Sequence, residues 1–216
     1  MDVEQLRRRF EDIRRRIDRL GGTGVQIVAV TKTWGPDAMI GAHEVGCDGV
    51  GENYAQELLH KLEQVAPDQR LPIHFIGRIQ TNKVKVLIDK VDVWQSVDRA
   101  QVVDELIKRS NKPDSAIMLQ VNTTGESSKA GCDPKEVPKL LARARAGGLS
   151  VNGLMTIGPT SGEGERIRRA FGLLSNLADE FGLPEKSMGM SEDFEIAVEQ
   201  GATLVRVGTA LFGQRP

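Results

Sequence analysis

The chain has 216 residues, enough for one large domain or two small ones, and its 39% of apolar side chains can form a sizeable core. Its formal net charge of −1 provides no overall field for attracting nucleic acid or an anionic membrane, and a single tyrosine excludes mechanisms that need several. Two cysteines without metal-ligand spacing favour a reducing compartment, so we expect a cytoplasmic protein without a cysteine-based zinc site. The charged start of the chain and the absence of a long apolar run predict neither a secretory signal nor a membrane span.

Residues 2–20 predict one amphipathic helix. Apolar residues recur there at spacings of three and four, from Leu6 through Phe10, Ile13 and Ile17 to Leu20. Arginines cover the other faces, but acidic neighbours offset their charge. This pattern favours a solvated helix packed on its own core over a helix that contacts RNA or a partner.

Short β-branched segments and segments with helical period alternate along the rest of the chain. The predicted strands are 25–30, 47–52, 73–77, 91–97, 116–122, 149–157, 187–191 and 204–208. The predicted helices include 36–45, 53–65, 99–111, 134–147, 163–182 and 192–200, the last with Ser191 as its N-cap.

Eight such strand–helix units predict an α/β fold of the (β/α)8 TIM-barrel class over residues 25–213, with 1–216 as a single domain. The alternative is an open doubly wound sheet, which would require a glycine-rich fingerprint directly after the first strand. The chain instead continues there as Thr31-Lys32-Thr33-Trp34.

In a barrel, a functional site is expected at the carboxyl ends of the strands, and barrels commonly hold a phosphate after strands seven and eight. Ser191 and Gly208-Thr209 follow those two strands and offer hydroxyls and backbone N–H groups to an anion. The alternative for Ser191 is a purely structural helix cap.

Lys32 and Arg206 are the charged residues of greatest interest at these strand ends. Lys32 follows an apolar strand, and burial of that kind favours a neutral amine that can attack an aldehyde, although most lysines are simply solvated. Arg206 lies inside the last strand and needs a partner, either a carboxylate such as Glu52 or an acceptor on a ligand.

Long ordered motifs along the chain carry a family resemblance. They are VAVTK (28–32), GVGENYAQE (49–57), IHFIGRIQTNK (73–83), VNTTGESSKAG (121–131), GLMTIGP (153–159) and SMGMSEDFEIAVEQGATLVRVGTALFG (187–213). The chain from about 25 to 213 thereby resembles the pyridoxal phosphate homeostasis proteins, which look like the barrel domain of alanine racemase (fold-type III) standing alone.

The resemblance implies that pyridoxal 5'-phosphate is the cofactor, bound as a Schiff base to Lys32. It also implies that the phosphate contacts Ser191, Gly208 and Thr209, that Arg206 faces the pyridine nitrogen, and that Asn53 lies beside the ring. His74 and Met155 match positions that line the same site. Lys83 and Lys129 lie in matching motifs, and their roles stay open.

Two functions follow from this resemblance. An arginine only donates hydrogen bonds, so the ring nitrogen beside it stays unprotonated and the cofactor is a poor electron sink. Related racemases add a tyrosine from a second domain, for which this chain has neither the length nor a spare tyrosine. We therefore expect a monomeric carrier that stores the cofactor and passes it to apoenzymes; the alternative is an amino-acid racemase in which Lys32 alone moves protons.

Overall fold

A computed structural model of the chain describes residues 1–110, 116–160 and 164–214. It contains a closed barrel in which eight parallel strands follow one another in chain order. The strands are Gln26–Val30 (β1), Gly49–Glu52 (β2), Ile73–Phe75 (β3), Val93–Val97 (β4), Ala116–Gln120 (β5), Ser150–Met155 (β6), Glu185–Ser187 (β7) and Leu204–Val207 (β8). The predicted (β/α)8 class is confirmed.

Helices surround the barrel. Those in the described ranges are Val3–Arg19 (α1), Pro36–Val45 (α2), Ala55–Leu62 (α3), Thr81–Leu87 (α4), Ala100–Arg109 (α5), Val137–Ala146 (α6), Gly164–Glu180 (α7), Phe194–Glu199 (α8) and Thr209–Phe212 (α9). The predicted end of α5 at 111 and start of α7 at 163 lie outside the described residues. No helix in the described part of the chain is long and apolar enough to cross a membrane.

The leading helix forms as predicted, and Asp2 caps it by accepting a hydrogen bond from the backbone of Gln5 at 3.1 Å. Its buried face is made by Leu6, Ile13 and Ile17. This face packs against α2, α8 and α9 in the outer layer of the same barrel. Three of its seven arginines are exposed, and the other four are half-buried and bond to groups of the same chain outside the helix, as expected for a helix packed on its own core.

The seventh strand differs most from the sequence prediction, and helices α4 and α9 are not among the helices named from the sequence. The seventh strand is Glu185–Ser187 rather than 187–191, so the two share only Ser187, because Gly189 adopts a left-handed φ of 91° that breaks the extended backbone. Helix α4 contains Val84-Lys85-Val86, whose apolar residues alternate as in a strand. In the structure Val84 and Leu87 are buried at helical spacing, whereas Val86 is exposed.

The core has two layers. The larger lies between the strands and the surrounding helices, and the smaller fills the barrel interior with Val28, Met118, Met155 and Leu204. Strand β1 pairs with β8 to close the barrel, with Val28 opposite Arg206. Side chains alternate along a strand, so this register places the side chain of Arg206 in the barrel interior. The residues that follow β1 lie at the mouth of the barrel.

Candidate functional site

A cleft of about 580 Å³ opens at the carboxyl ends of the strands, within the range of small-molecule sites. Seven of the eight residues predicted for the site line it, namely Lys32, Asn53, Met155, Ser191, Arg206, Gly208 and Thr209. The eighth, His74, lies below the cleft in the barrel interior and is not among its lining residues. The barrel therefore gathers residues that are up to 177 positions apart (32 to 209) into one concave site.

Lys32 reaches the cleft from the turn after β1. Val28 packs in the barrel interior, and both Val30, at the end of β1, and Lys32, in the turn that follows, line the cleft. The side chain of Lys32 is half-buried. Lys32 therefore lies where it can meet a carbonyl compound bound in the cleft.

Arg206 is only 4% exposed. Its Nη1 donates to Ser187 Oγ at 2.5 Å and its Nη2 donates to the carbonyl oxygen of Thr156 at 2.7 Å. Burial lowers its pKa to about 10, and the charge of Asp193 opposes that shift. The guanidinium therefore stays protonated at neutral pH, and these two bonds hold it in a fixed orientation at the cleft floor.

Glu52 does not pair with Arg206, so that sequence-based alternative is wrong. Gly51 faces the barrel interior, where an added Cβ would meet Val28 and Val30. The next residue, Glu52, therefore points outward. There it accepts a hydrogen bond from Lys61 Nζ at 2.6 Å.

A buried hydrogen-bond chain connects Arg206 with His74 across the barrel interior. Ser187 Oγ donates to Gln95 Oε1 at 2.7 Å, and Gln95 Nε2 lies 2.6 Å from His74 Nδ1. An amide nitrogen only donates, so Nδ1 accepts and the imidazole is neutral. Burial, helped by the charge of Arg206, lowers the pKa of His74 to about 4. His74 thus acts on the cleft through Gln95 and Ser187.

The end of the cleft between β7 and β8 carries hydroxyls and backbone N–H groups. Ser191 Oγ accepts hydrogen bonds from the backbone N–H of Gly208 at 3.2 Å and of Ala210 at 3.0 Å. Thr209, at the first position of α9, adds an exposed hydroxyl beside them. These hydroxyls and N–H groups lie together at one end of the cleft, where both N–H groups donate to Ser191 Oγ, and groups of this kind suit an anion.

Ser191 is not the N-cap of the following helix, as the sequence predicted. Helix α8 begins at Phe194, with Asp193 in the cap position. Asp193 Oδ1 accepts a hydrogen bond from the backbone of Met190 at 2.6 Å, and its side chain lines the cleft although it is only 8% exposed. Burial raises the pKa of this carboxyl. Nothing in the sequence pattern separated Asp193 from the many acidic residues at helix starts.

The two lysines whose roles the sequence left open separate in the structure. Lys129 lines the cleft from the loop after β5, where its Nζ donates to the carbonyl oxygen of Gly158. Lys83 belongs to α4 and is not among the cleft residues. The described residues contain no group of His, Cys, Asp and Glu that could hold a metal ion.

The fold and the cleft define the class of protein: a closed (β/α)8 barrel with a lysine after β1, a buried arginine on β8, and hydroxyls and backbone N–H groups at the end of the cleft between β7 and β8. The family model of the alanine racemase N-terminal domain matches residues 1–216. Alanine racemase from Clostridium difficile 630 has the same fold, with a TM-score of 0.78 at 16% identity, and the match covers 99% of this chain and 57% of that one.

Closer relatives identify the group within that class. The pyridoxal phosphate homeostasis protein of Aquifex aeolicus is 40% identical over 223 residues, covering 98% of this chain and 97% of the relative. That of Pseudomonas aeruginosa is 41% identical over 196 residues, covering 88% and 85%. The structure of PipY from Synechococcus elongatus with PLP bound matches with a TM-score of 0.77 at 30% identity, covering 93% of this chain and 100% of that one. The chain belongs to the pyridoxal phosphate homeostasis protein family.

Proposed function

We propose that this protein binds pyridoxal 5'-phosphate through a Schiff base to Lys32 and serves as an intracellular carrier of it. The observation that carries this proposal is that Lys32, Arg206 and the hydroxyls of Ser191 and Thr209 line one cleft. The relatives named for pyridoxal phosphate homeostasis and the PipY structure with PLP bound support the choice of cofactor. An aldehyde condenses reversibly with a neutral lysine amine, with loss of one water molecule.

The chemistry of the cleft fits this cofactor. Asn53 lines it, and its Oδ1 is buried without a hydrogen-bond partner among the described residues. A buried acceptor of this kind is costly unless a ligand supplies a donor. The cofactor carries a phosphate, a ring nitrogen and a ring hydroxyl, and the hydroxyl can donate a hydrogen bond to Asn53 Oδ1.

In this proposal each remaining residue has one task. Ser191, Thr209 and the backbone of Gly208 bind the phosphate, and Met155 packs against the ring. Arg206, held by Ser187 and Thr156, donates toward the ring nitrogen. His74 supports that orientation from below through Gln95 rather than by contact. We also propose that residues 1–216 act as one domain, as a monomer, and that apoenzymes receive the cofactor.

The protonated Arg206 favours storage over catalysis. A guanidinium that only donates leaves the ring nitrogen unprotonated, which weakens the withdrawal of electrons from a bound amino acid. The single tyrosine, Tyr54, is 55% exposed and is not a cleft residue, so it provides no acid or base there. The cleft is thus suited to hold the aldehyde and release it.

An amino-acid racemase is the second candidate, because Asp193 and Lys129 bring two further proton-transfer groups into the cleft. Loss of optical activity in solutions of L-amino acids separates the two functions. Sustained turnover by the loaded protein would favour the racemase. Stoichiometric transfer of the cofactor to an apoenzyme, in the presence of a trap for free aldehyde, would favour the carrier.

A further inference from the structure

A buried ion cluster lies directly beneath the turn that carries Lys32. It consists of Lys61 on α3, Glu52 at the end of β2, Glu57 on α3 and Thr31, and we call it the Lys61 cluster. Lys61 is 2% exposed and Glu52 is fully buried. None of these four residues lines the cleft, yet the cluster contacts the backbone on both sides of Lys32.

Every donor of Lys61 has a partner in this cluster. Its Nζ donates to Glu52 Oε1 and Glu57 Oε1, both at 2.6 Å, and to the carbonyl oxygen of Thr31 at 2.7 Å. Thr31 Oγ1 also donates to Glu52 Oε1, at 2.6 Å. The residue before Lys32 is therefore fixed through both its side chain and its backbone.

The residue after Lys32 is fixed as well, in a conformation that needs support. Thr33 has a φ of 68°, in the left-handed region that a β-branched side chain rarely adopts. Its backbone N–H donates to Glu57 Oε1 at 2.6 Å, the same oxygen that accepts from Lys61. Lys32 thus lies between two residues, Thr31 and Thr33, that hydrogen bonds to the Lys61 cluster hold in place, and the backbone of Thr33 is strained.

A contribution to stability alone does not explain the Lys61 cluster. Removing charges from water costs free energy that a buried ion pair often fails to recover. Here the cost is higher still, because Glu52 Oε2 is buried without a hydrogen-bond partner in the described part of the chain. Burial also raises the pKa of Glu52 against the opposing effect of Lys61. Strain and unsatisfied polarity concentrated beside one lysine indicate a functional constraint.

We propose that Lys61, acting through Glu57 and Glu52, is a positioning residue that sets the turn of Lys32 so that its amine meets the aldehyde of the bound cofactor. This inference rests on the proposed function. It concerns the covalent part of binding only, because the phosphate-holding residues Ser191 and Thr209 lie after the strands on the far side of β1 from the cluster.

The test compares two probes that differ only at the reacting carbon. Pyridoxal 5'-phosphate carries the aldehyde, and pyridoxine 5'-phosphate carries an alcohol that cannot condense with an amine. Affinities of both are measured for the wild type, Glu57→Ala and Glu57→Gln. The amide oxygen of Gln can still accept from Thr33 and Lys61, so Glu57→Gln is the matched control.

We expect Glu57→Ala to weaken binding of the aldehyde roughly tenfold or more and to leave the alcohol within about twofold of wild type. Glu57→Gln should bind both probes as the wild type does. Lys61→Met should also lose the preference for the aldehyde. If Lys61→Met fails to fold, the variants at Glu57, which is partly exposed, still test the positioning role.

An equal loss for both probes in Glu57→Ala would overturn the positioning role in favour of a general structural one. Unchanged binding of the aldehyde in Glu57→Ala would overturn it as well. A wild type that binds the two probes equally would overturn the covalent link, and with it both the proposed function and this inference. A wild type that prefers the aldehyde while Glu57→Ala behaves identically would overturn the inference and leave the proposed function intact.

Discussion

Ser187 lies at the centre of the hydrogen-bond chain that orients Arg206, and Ser187→Ala tests that chain. The hydroxyl is fully buried, accepts from Arg206 Nη1 at 2.5 Å and donates to Gln95 Oε1 at 2.7 Å. Alanine fits in the same space but leaves the guanidinium donor and the amide acceptor unpaired. The charged bond contributes about 1.5–3 kcal/mol and the buried amide oxygen about 1–3 kcal/mol, so we expect a loss of roughly 2.5–6 kcal/mol in the free energy of unfolding.

Urea denaturation of the cofactor-free protein measures this loss through the shift in midpoint at constant slope. Ser150→Ala is the matched control, because Ser150 is exposed at the start of β6 and should change stability by no more than about 0.5 kcal/mol. A loss below about 1 kcal/mol in Ser187→Ala would refute the reasoning, since it would mean that Arg206 and Gln95 find other partners without the hydroxyl.

Three further predictions follow from the same structure. Burial lowers the pKa of His74 from 6.5 to about 4. As the pH falls from 6.5 to 4, this histidine is therefore protonated in the unfolded chain before it is protonated in the folded protein, and the free energy of unfolding should fall by up to about 3 kcal/mol. Urea titrations of His74→Asn should lack this contribution to the pH dependence. Ser191→Ala should weaken cofactor binding by about 1.5–3 kcal/mol if its hydroxyl contacts the phosphate, whereas unchanged affinity would leave it only the hydrogen bonds that it accepts from the backbone of Gly208 and Ala210. Cys47 and Cys132 are buried with pKa values raised to about 12, so a thiol reagent at pH 8 should label them only after denaturation, and rapid labelling of the native protein would contradict their burial.

Most of the fold could be predicted from sequence because each strand–helix unit carries its own local pattern. The alternation of β-branched and helical segments predicts the barrel, and the stripe from Leu6 to Leu20 predicts α1. The exceptions are local conflicts. Helix α4 has strand-like alternation that its packing overrides, and Gly189 ends β7 through a backbone conformation that composition does not reveal.

The cleft could be predicted as far as its residues follow strands directly, because the barrel brings all strand ends to one mouth. Lys32, Ser191 and Arg206 are of this kind. Contacts that depend on which face of a strand a side chain occupies could not be predicted. The outward orientation of Glu52, the chain through Gln95 and the entry of Asp193 into the cleft all depend on register and loop geometry, which residue type alone does not specify.

Reduction of the cofactor-loaded protein with borohydride, followed by peptide mapping, tests the central claim most directly, because it converts a Schiff base into a stable secondary amine at the residue that formed it. The account predicts that the label lies on Lys32 and that Lys32→Ala abolishes it while the protein still binds pyridoxine 5'-phosphate. A label on Lys129 in the wild type, or tightly bound cofactor without any label, would contradict the account.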